Sequence, residues 1–191
     1  TLLADVKYIR AEAQLQLRQL DAAEKQYREL VDGYATHREI MVWKLRLAVV
    51  LYAQQKYPDT IAWTEKLATE LKRPAAVAEA QFLLGASQFS QDQYPAAITA
   101  LQAALTADAG WRQADETLLF LSRAQHKEQQ LPAATGTVQK LIKDFPQSHV
   151  LDQAHYRLGE YLYAAEEYPQ AIEEYQRVVS GWPKSAFVPY A

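Results

Sequence analysis

The sequence predicts an all-α protein, a right-handed curved solenoid of five helix-turn-helix repeats. Three observations lead there. The pairs Tyr57-Pro58, Tyr94-Pro95, Leu131-Pro132 and Tyr168-Pro169 recur 37 residues apart, and one further step back reaches Leu20-Asp21. A period of this length is the mark of a stacked-repeat architecture. Apolar residues inside each period follow one another at spacings of three and four, as in Ile40, Trp43, Leu47, Val50 and in Leu151, Ala154, Leu158, Tyr161. Such spacing draws an apolar stripe along one face of a helix. Finally, no stretch of useful length alternates with period two, so no sheet is expected.

Five copies of the period run from Ala4 to Val188: repeat 1 over 4–40, repeat 2 over 41–77, repeat 3 over 78–114, repeat 4 over 115–151 and repeat 5 over 152–188. Residues 189–191 read as the start of a truncated sixth unit. Laid over one another, the copies share small residues in the eighth column (Ala11, Ala48, Gly85, Ser122, Gly159) and in the twentieth (Ala23, Thr60, Ala97, Ala134, Ala171). Small residues on facing turns let two antiparallel helices approach closely, as a helical hairpin requires. The second helix of a unit should start at the recurring proline, whose preset φ suits the first helical turn and whose missing N–H would be unpaired there anyway. Phe145-Pro146 and Trp182-Pro183 should end the last two such helices, because a residue before proline is pushed out of the α region. An apolar column, Ile40, Val77, Ala114, Leu151 and Val188, predicts an extra turn at the start of each first helix.

The composition excludes several kinds of chemistry. The chain has 191 residues, no Cys and a formal net charge of -3 from 20 basic and 23 acidic side chains. Without cysteine there is no disulfide framework, Cys-bound zinc, iron–sulfur cluster or thiol nucleophile. The near-neutral balance lacks the dense Lys/Arg surface that grips a phosphate backbone, so no nucleic-acid partner is expected. The longest apolar run, Leu45 to Ala53, is interrupted by Arg46 and falls well short of the ~20 residues of a spanning helix, so this segment should not insert into a membrane.

A helix-turn-helix unit with small, small and Pro columns in this order resembles the tetratricopeptide repeat (TPR). Repeat 5 carries the likeness best, from Ala154-His155-Tyr156-Arg157-Leu158-Gly159 through Tyr168-Pro169-Gln170-Ala171-Ile172 to Tyr175 and Pro183. The family's early Trp column is replaced by Lys7, Lys44, Gln81, Leu118 and His155, and its terminal Pro is lost in the first three copies. Phe145-Pro146-Gln147-Ser148 and Trp182-Pro183-Lys184-Ser185 are similar to phrases in TPR domains of bacterial cell-envelope proteins, of the Tol-Pal coordinator and BamD type. That resemblance implies a periplasmic or cell-envelope location. A cysteine-free chain suits the cytoplasm equally well.

Nothing in the sequence builds an active site, and no enzyme is expected. His37, His126, His149 and His155 form no His-Glu-x-x-His pattern, and His149 and His155 lie six apart, on different sides of a helix. Glu166-Glu167 and Glu173-Glu174 read as a wet helix face, and the six glycines form no phosphate cradle. No metal or cofactor is therefore expected.

What remains is surface shape. The TPR resemblance implies that the first helices line the inner, concave face, with columns two, five, nine, twelve and thirteen turned to ligand. On that basis Tyr8, Tyr52, Phe82, Phe89, Leu119, Arg123, Tyr156 and Tyr163 are the expected partner-binding groove. The Lys and Asn of the family's carboxylate clamp are absent from columns five and nine. Rings at helical spacing also fill seams between repeats, which is the alternative for this column. The expected role is a scaffold for a partner's peptide or helix. The other readings are a module that stacks end to end or dimerises, and an accessory domain of a larger protein. Ile172, Tyr175 and Val179 are the expected self-association edge, through which repeat 5 would form a homodimer.

Overall fold

The computed structural model describes residues 2–191. Ten α-helices follow one another: α1 (Leu2–Gln16), α2 (Leu20–Gly33), α3 (Ile40–Ala53), α4 (Tyr57–Ala68), α5 (Pro74–Ser90), α6 (Tyr94–Ala107), α7 (Ala114–Lys127), α8 (Leu131–Asp144), α9 (Leu151–Ala164) and α10 (Tyr168–Gly181). A 3₁₀ turn at Val188–Tyr190 ends the chain, and there is no strand among the described residues. The predicted all-α solenoid is thus what the chain adopts.

The helix boundaries follow from local chemistry. Helices α4, α6, α8 and α10 each carry the recurring proline in the first turn, and α8 and α10 stop just before Phe145 and Trp182. The apolar column opens the first helix at Ile40, Ala114 and Leu151. Only α5 extends ahead of it, starting at Pro74 rather than at Val77. The predicted extra turn therefore belongs to α5, where a proline can open the helix early.

Within every hairpin the turn has one form. Arg18, Gln55, Asp92, Gln129 and Glu166 sit at φ between 56° and 63°, in the left-handed region. The following N–H reaches back five residues to close the preceding helix: Gln19 to Gln14, Lys56 to Leu51, Gln93 to Gln88, Gln130 to Gln125 and Glu167 to Leu162, all at 2.9–3.0 Å. This is the Schellman closure, usually made with glycine at the left-handed position. Here five side chains with a Cβ accept that strain, each at a cost of about 1–2 kcal/mol.

Both small-residue columns are buried, from Ala11 to Gly159 and from Ala23 to Ala171. Gly85 and Gly159 permit the closest approaches. A Cβ on Gly85 would lie 2.7 Å from Leu101 Cγ and 3.1 Å from the Ala97 carbonyl oxygen, and one on Gly159 would lie 2.6 Å from the Tyr175 ring. The core runs the length of the stack as three adjoining clusters, around Trp43 and Tyr27, around Leu83 and Leu101, and around Leu141 and Leu158.

The turns between hairpins are tethered as well. Ser148 donates to Asp115 Oδ2 at 2.5 Å while accepting the Val150 N–H, and Ser185 repeats this with Asp152 and Phe187. The Pro-x-Ser phrases of the sequence are therefore clips that bind each such turn to the start of the preceding first helix.

Candidate functional site: the face formed by the first helices

Successive first helices touch side by side, α3 with α5, α5 with α7 and α7 with α9, and no comparable contact joins successive second helices. A stack that is close on one layer and spread on the other bends toward the close layer. The first helices thus form the inner face.

The predicted groove residues divide into two groups on this face. Phe82 and Leu119 are only 3% exposed, and this corrects the expectation that they meet a partner. Phe82 packs edge-on against Phe120 at 5.8 Å and beside Trp111 at 5.5 Å, filling the seam between α5 and α7. Leu119 lies in the core cluster around Leu141. The other six keep exposed surface. Tyr8 leans on Tyr27 and Trp43, and Tyr52 on Tyr57. Burial, foremost, and the neighbouring Tyr57 push the Tyr52 hydroxyl up to about 12. Tyr156 stacks on Phe187 with centroids 5.1 Å apart, and Tyr163 stands 62% exposed beside Tyr168.

Arg123 is the centre of this arrangement. Its guanidinium lies 4.7 Å from the Phe89 centroid and 5.3 Å from that of Phe120. No carboxylate among the described residues lies within ion-pair distance of it. Burial, and then the charge of Arg157, push its pKa down from the ordinary guanidinium range. A half-buried cation held on two ring faces, with no carboxylate in ion-pair contact, favours an incoming anion. The other arginines of this face are already paired. Arg157 bonds Glu160 at 2.6 Å, and Arg46 stands 3.4 Å from both Glu12 and Glu79. Burial works against the Arg46 charge, yet those two carboxylates outweigh it and hold its pKa above the usual value.

At the far end of the stack, Ile172 and Val179 are 55% and 45% exposed along α10. Tyr175 is not part of that edge. Its ring lies over Gly159 and packs against the α9–α10 core, in the space that the absent side chain of Gly159 leaves.

Two features of the face escaped the sequence reading. Phe120, the second ring under Arg123, belongs to column six with Ile9, Arg46, Leu83 and Arg157, a column the ligand-facing set omitted. Its two arginines, with apolar residues in the other three copies, were the available signal. The second is a cavity of about 700 Å³ between the start of α3, the α4–α5 turn and Trp111. It joins residues from three separate segments, which periodicity alone cannot bring together.

A family model described as an outer membrane lipoprotein, YfiO, matches residues 4–158, and a tetratricopeptide-repeat model matches residues 153–185. The chain belongs to the YfiO family. No curated protein matches the sequence. Among solved structures, this YfiO-family chain resembles residues 41 to the end of MamA from Desulfovibrio magneticus RS-1, with a TM-score of 0.78 at 18% identity over 93% of each chain. It resembles the apo form of RapI with a TM-score of 0.83 at 10% identity, over 92% of this chain and 69% of that one. It also resembles YrrB, a TPR protein described as having an unusual peptide-binding site, with a TM-score of 0.74 at 15% identity over 96% of this chain and 89% of that one. At these identities the likeness is one of fold alone, the TPR solenoid.

Proposed function

We infer that this protein is a non-enzymatic scaffold whose inner face binds an extended or helical segment of a protein partner in a cell-envelope complex. The observation that carries the reading is Arg123, seated on Phe89 and Phe120 with no carboxylate partner, midway along a face that also exposes parts of Tyr52, Tyr156 and Tyr163. Aromatic anchors flanking a desolvated cation suit a segment with apolar side chains around an acidic one. Membership of an outer membrane lipoprotein family supports the envelope location. The test is photo-crosslinking in the source cells, with benzoyl-phenylalanine at Tyr52, Phe89 or Tyr163, and at Thr99 or Lys140 on second helices as controls. The inner-face positions should give a discrete adduct and the controls none; equal labelling from both faces would refute the groove.

A second reading, end-to-end self-assembly, is favoured by one specific feature. Leu2, Val6 and Ile9 expose an apolar stripe on α1, and Ile172 and Val179 expose another on α10. Two unlike apolar ends make a head-to-tail contact, which propagates instead of closing. Sedimentation over a concentration series separates the readings: a monomer throughout excludes assembly, and growth that Val179→Lys abolishes supports it.

A further inference from the structure

We propose that Arg10 gates head-to-tail joining: the free face of α1 is a seat for the α10 end of a second copy, and the charge of Arg10 opposes its closing. The inference rests on the end-to-end reading for the two surfaces that meet, and goes beyond it in naming the residue that sets the strength of the joint. The seat is recognised by comparison with the junctions inside the stack. Val6, Arg10 and Ala13 lie at helical spacing on α1, and all three are exposed. One period on and at every period after that, in α3, α5, α7 and α9, the residues at these columns are buried and none is charged. They are covered by the second helix of the unit before. Leu47 shares a core cluster with Tyr27 and Leu30 of α2, Leu121 with Leu101 of α6, and Leu158 with Val138 and Leu141 of α8. The other end of the molecule offers the matching surface. Ile172 and Val179 are exposed on α10, whereas no counterpart of either is exposed in α2, α4, α6 or α8, where a first helix follows. The α10 of one copy therefore fits the α1 of the next as α8 fits α9.

One residue breaks the match. The column of Arg10 reads Leu47, Leu84, Leu121 and Leu158 in the other four units, and these leucines are at most 8% exposed. A joint that repeated the internal contact would put a guanidinium where four leucines sit. Burying a charge without a partner is costly, and Arg10 brings no partner with it. It makes no ion pair among the described residues, and the nearby Glu29 is already bonded to Lys7 at 2.9 Å. Nor does α10 supply one. Glu174 is held by His155 at 2.5 Å, and Glu173 stands about 100° around the helix from the stripe of Ile172 and Val179. The guanidinium can keep its water only by leaning out of the seam, which parts the two helices and forfeits their apolar contact.

The test is sedimentation velocity of the whole chain over a concentration series, with the helical spectrum checked for each variant. Arg10→Leu should associate at concentrations at least about 100-fold below those the parent needs, the factor expected when an unpaired charge leaves a buried seam. Arg10→Lys, which keeps the charge, should behave as the parent does. Lys66→Leu, the same loss of charge on the outer helix α4, should associate no more than the parent. Adding Val179→Lys to Arg10→Leu should reverse the association, because it charges the opposite end of the joint. Arg10→Leu associating no more readily than the parent would overturn the proposal, and so would association that Lys66→Leu reproduces or that Val179→Lys leaves intact. A monomeric parent beside an associating Arg10→Leu upholds the gate while refuting self-assembly of the parent. A parent that assembles and is unmoved by Arg10→Leu refutes the gate alone.

Discussion

One chemical change, Gly→Ala, should have opposite signs at two helical positions of this protein. At Gly136 in α8 an added Cβ meets nothing within 4 Å, so only the backbone matters. Removing a glycine from a helix interior stabilises by about 1 kcal/mol. At Gly85 the same gain is opposed by contact. The new Cβ would lie 2.7 Å from Cγ of Leu101, which is wholly buried, and 3.1 Å from a backbone carbonyl of α6. Neither neighbour can retreat, so the upper part of the overpacking range, about 2–3 kcal/mol, applies. The net is a loss of about 1–2 kcal/mol after the helix gain of about 1 kcal/mol is subtracted. For a chain of 191 residues each kcal/mol moves the Tm by about 2–4 °C. Thermal unfolding followed by circular dichroism at the helical band should therefore show Gly136→Ala melting about 2–4 °C above the parent and Gly85→Ala melting several degrees below it. If both variants moved the same way, Gly85 would not be the point of closest approach between α5 and α6.

The remaining predictions follow from the turns, the clips and the buried hydroxyls. Replacing the left-handed Gln55 or Gln129 with Gly should stabilise by about 0.5–1 kcal/mol each, after allowance for glycine's greater freedom when unfolded, and the double variant should be additive within error in denaturant titration. Ser148→Ala removes a donor from Asp115 and an acceptor from the Val150 N–H and should lower stability by about 1–2 kcal/mol, with amide exchange rising first around the α8–α9 turn. Burial, foremost, and the bond to Glu12 push the Tyr27 hydroxyl well above its ordinary range, and burial pushes Tyr52 up to about 12. Below pH ~10 folded and unfolded chains both keep these protons; above it the unfolded chain releases them first, so stability should fall as pH climbs from about 10 toward 12. An absorbance titration of phenolate should show these rings ionising late and together with loss of helix; ordinary titration near pH ~10 in a still-folded chain would contradict their burial.

The fold was legible in the sequence because its determinants are periodic and local. Proline at the start of the second helix, small residues in two columns and apolar residues at helical spacing each act within one unit, and stacking repeats their effect. The hairpin turns were not legible as left-handed, because Arg18, Gln55, Asp92, Gln129 and Glu166 have no residue type in common. Their conformation is imposed by the closure between two packed helices, which overrides local preference. The site was half legible. Column position located the inner face but could not tell Phe82, sunk between α5 and α7, from Phe89, one helical stretch further along and partly open. Tyr175 was misplaced for the same reason: whether a ring covers its own hairpin or faces outward depends on the vacancy at Gly159, a partner from another helix. The cavity beside Trp111 needed three segments to be placed in space before it existed at all.

The central claim, that Arg123 on the inner face receives an acidic residue of the partner, is tested most directly by affinity. A peptide selected by display against the whole protein would be titrated calorimetrically into the parent, into Arg123→Glu, and into Lys66→Glu on the outer helix α4. The selected peptide should carry Asp or Glu. Reversing Arg123 should weaken it at least about 30-fold, as loss of a desolvated charge pair costs about 2–5 kcal/mol, while Lys66→Glu should leave it within about twofold, the effect of a distant surface charge. An affinity unchanged by Arg123→Glu, or lost equally in both variants, would contradict the account.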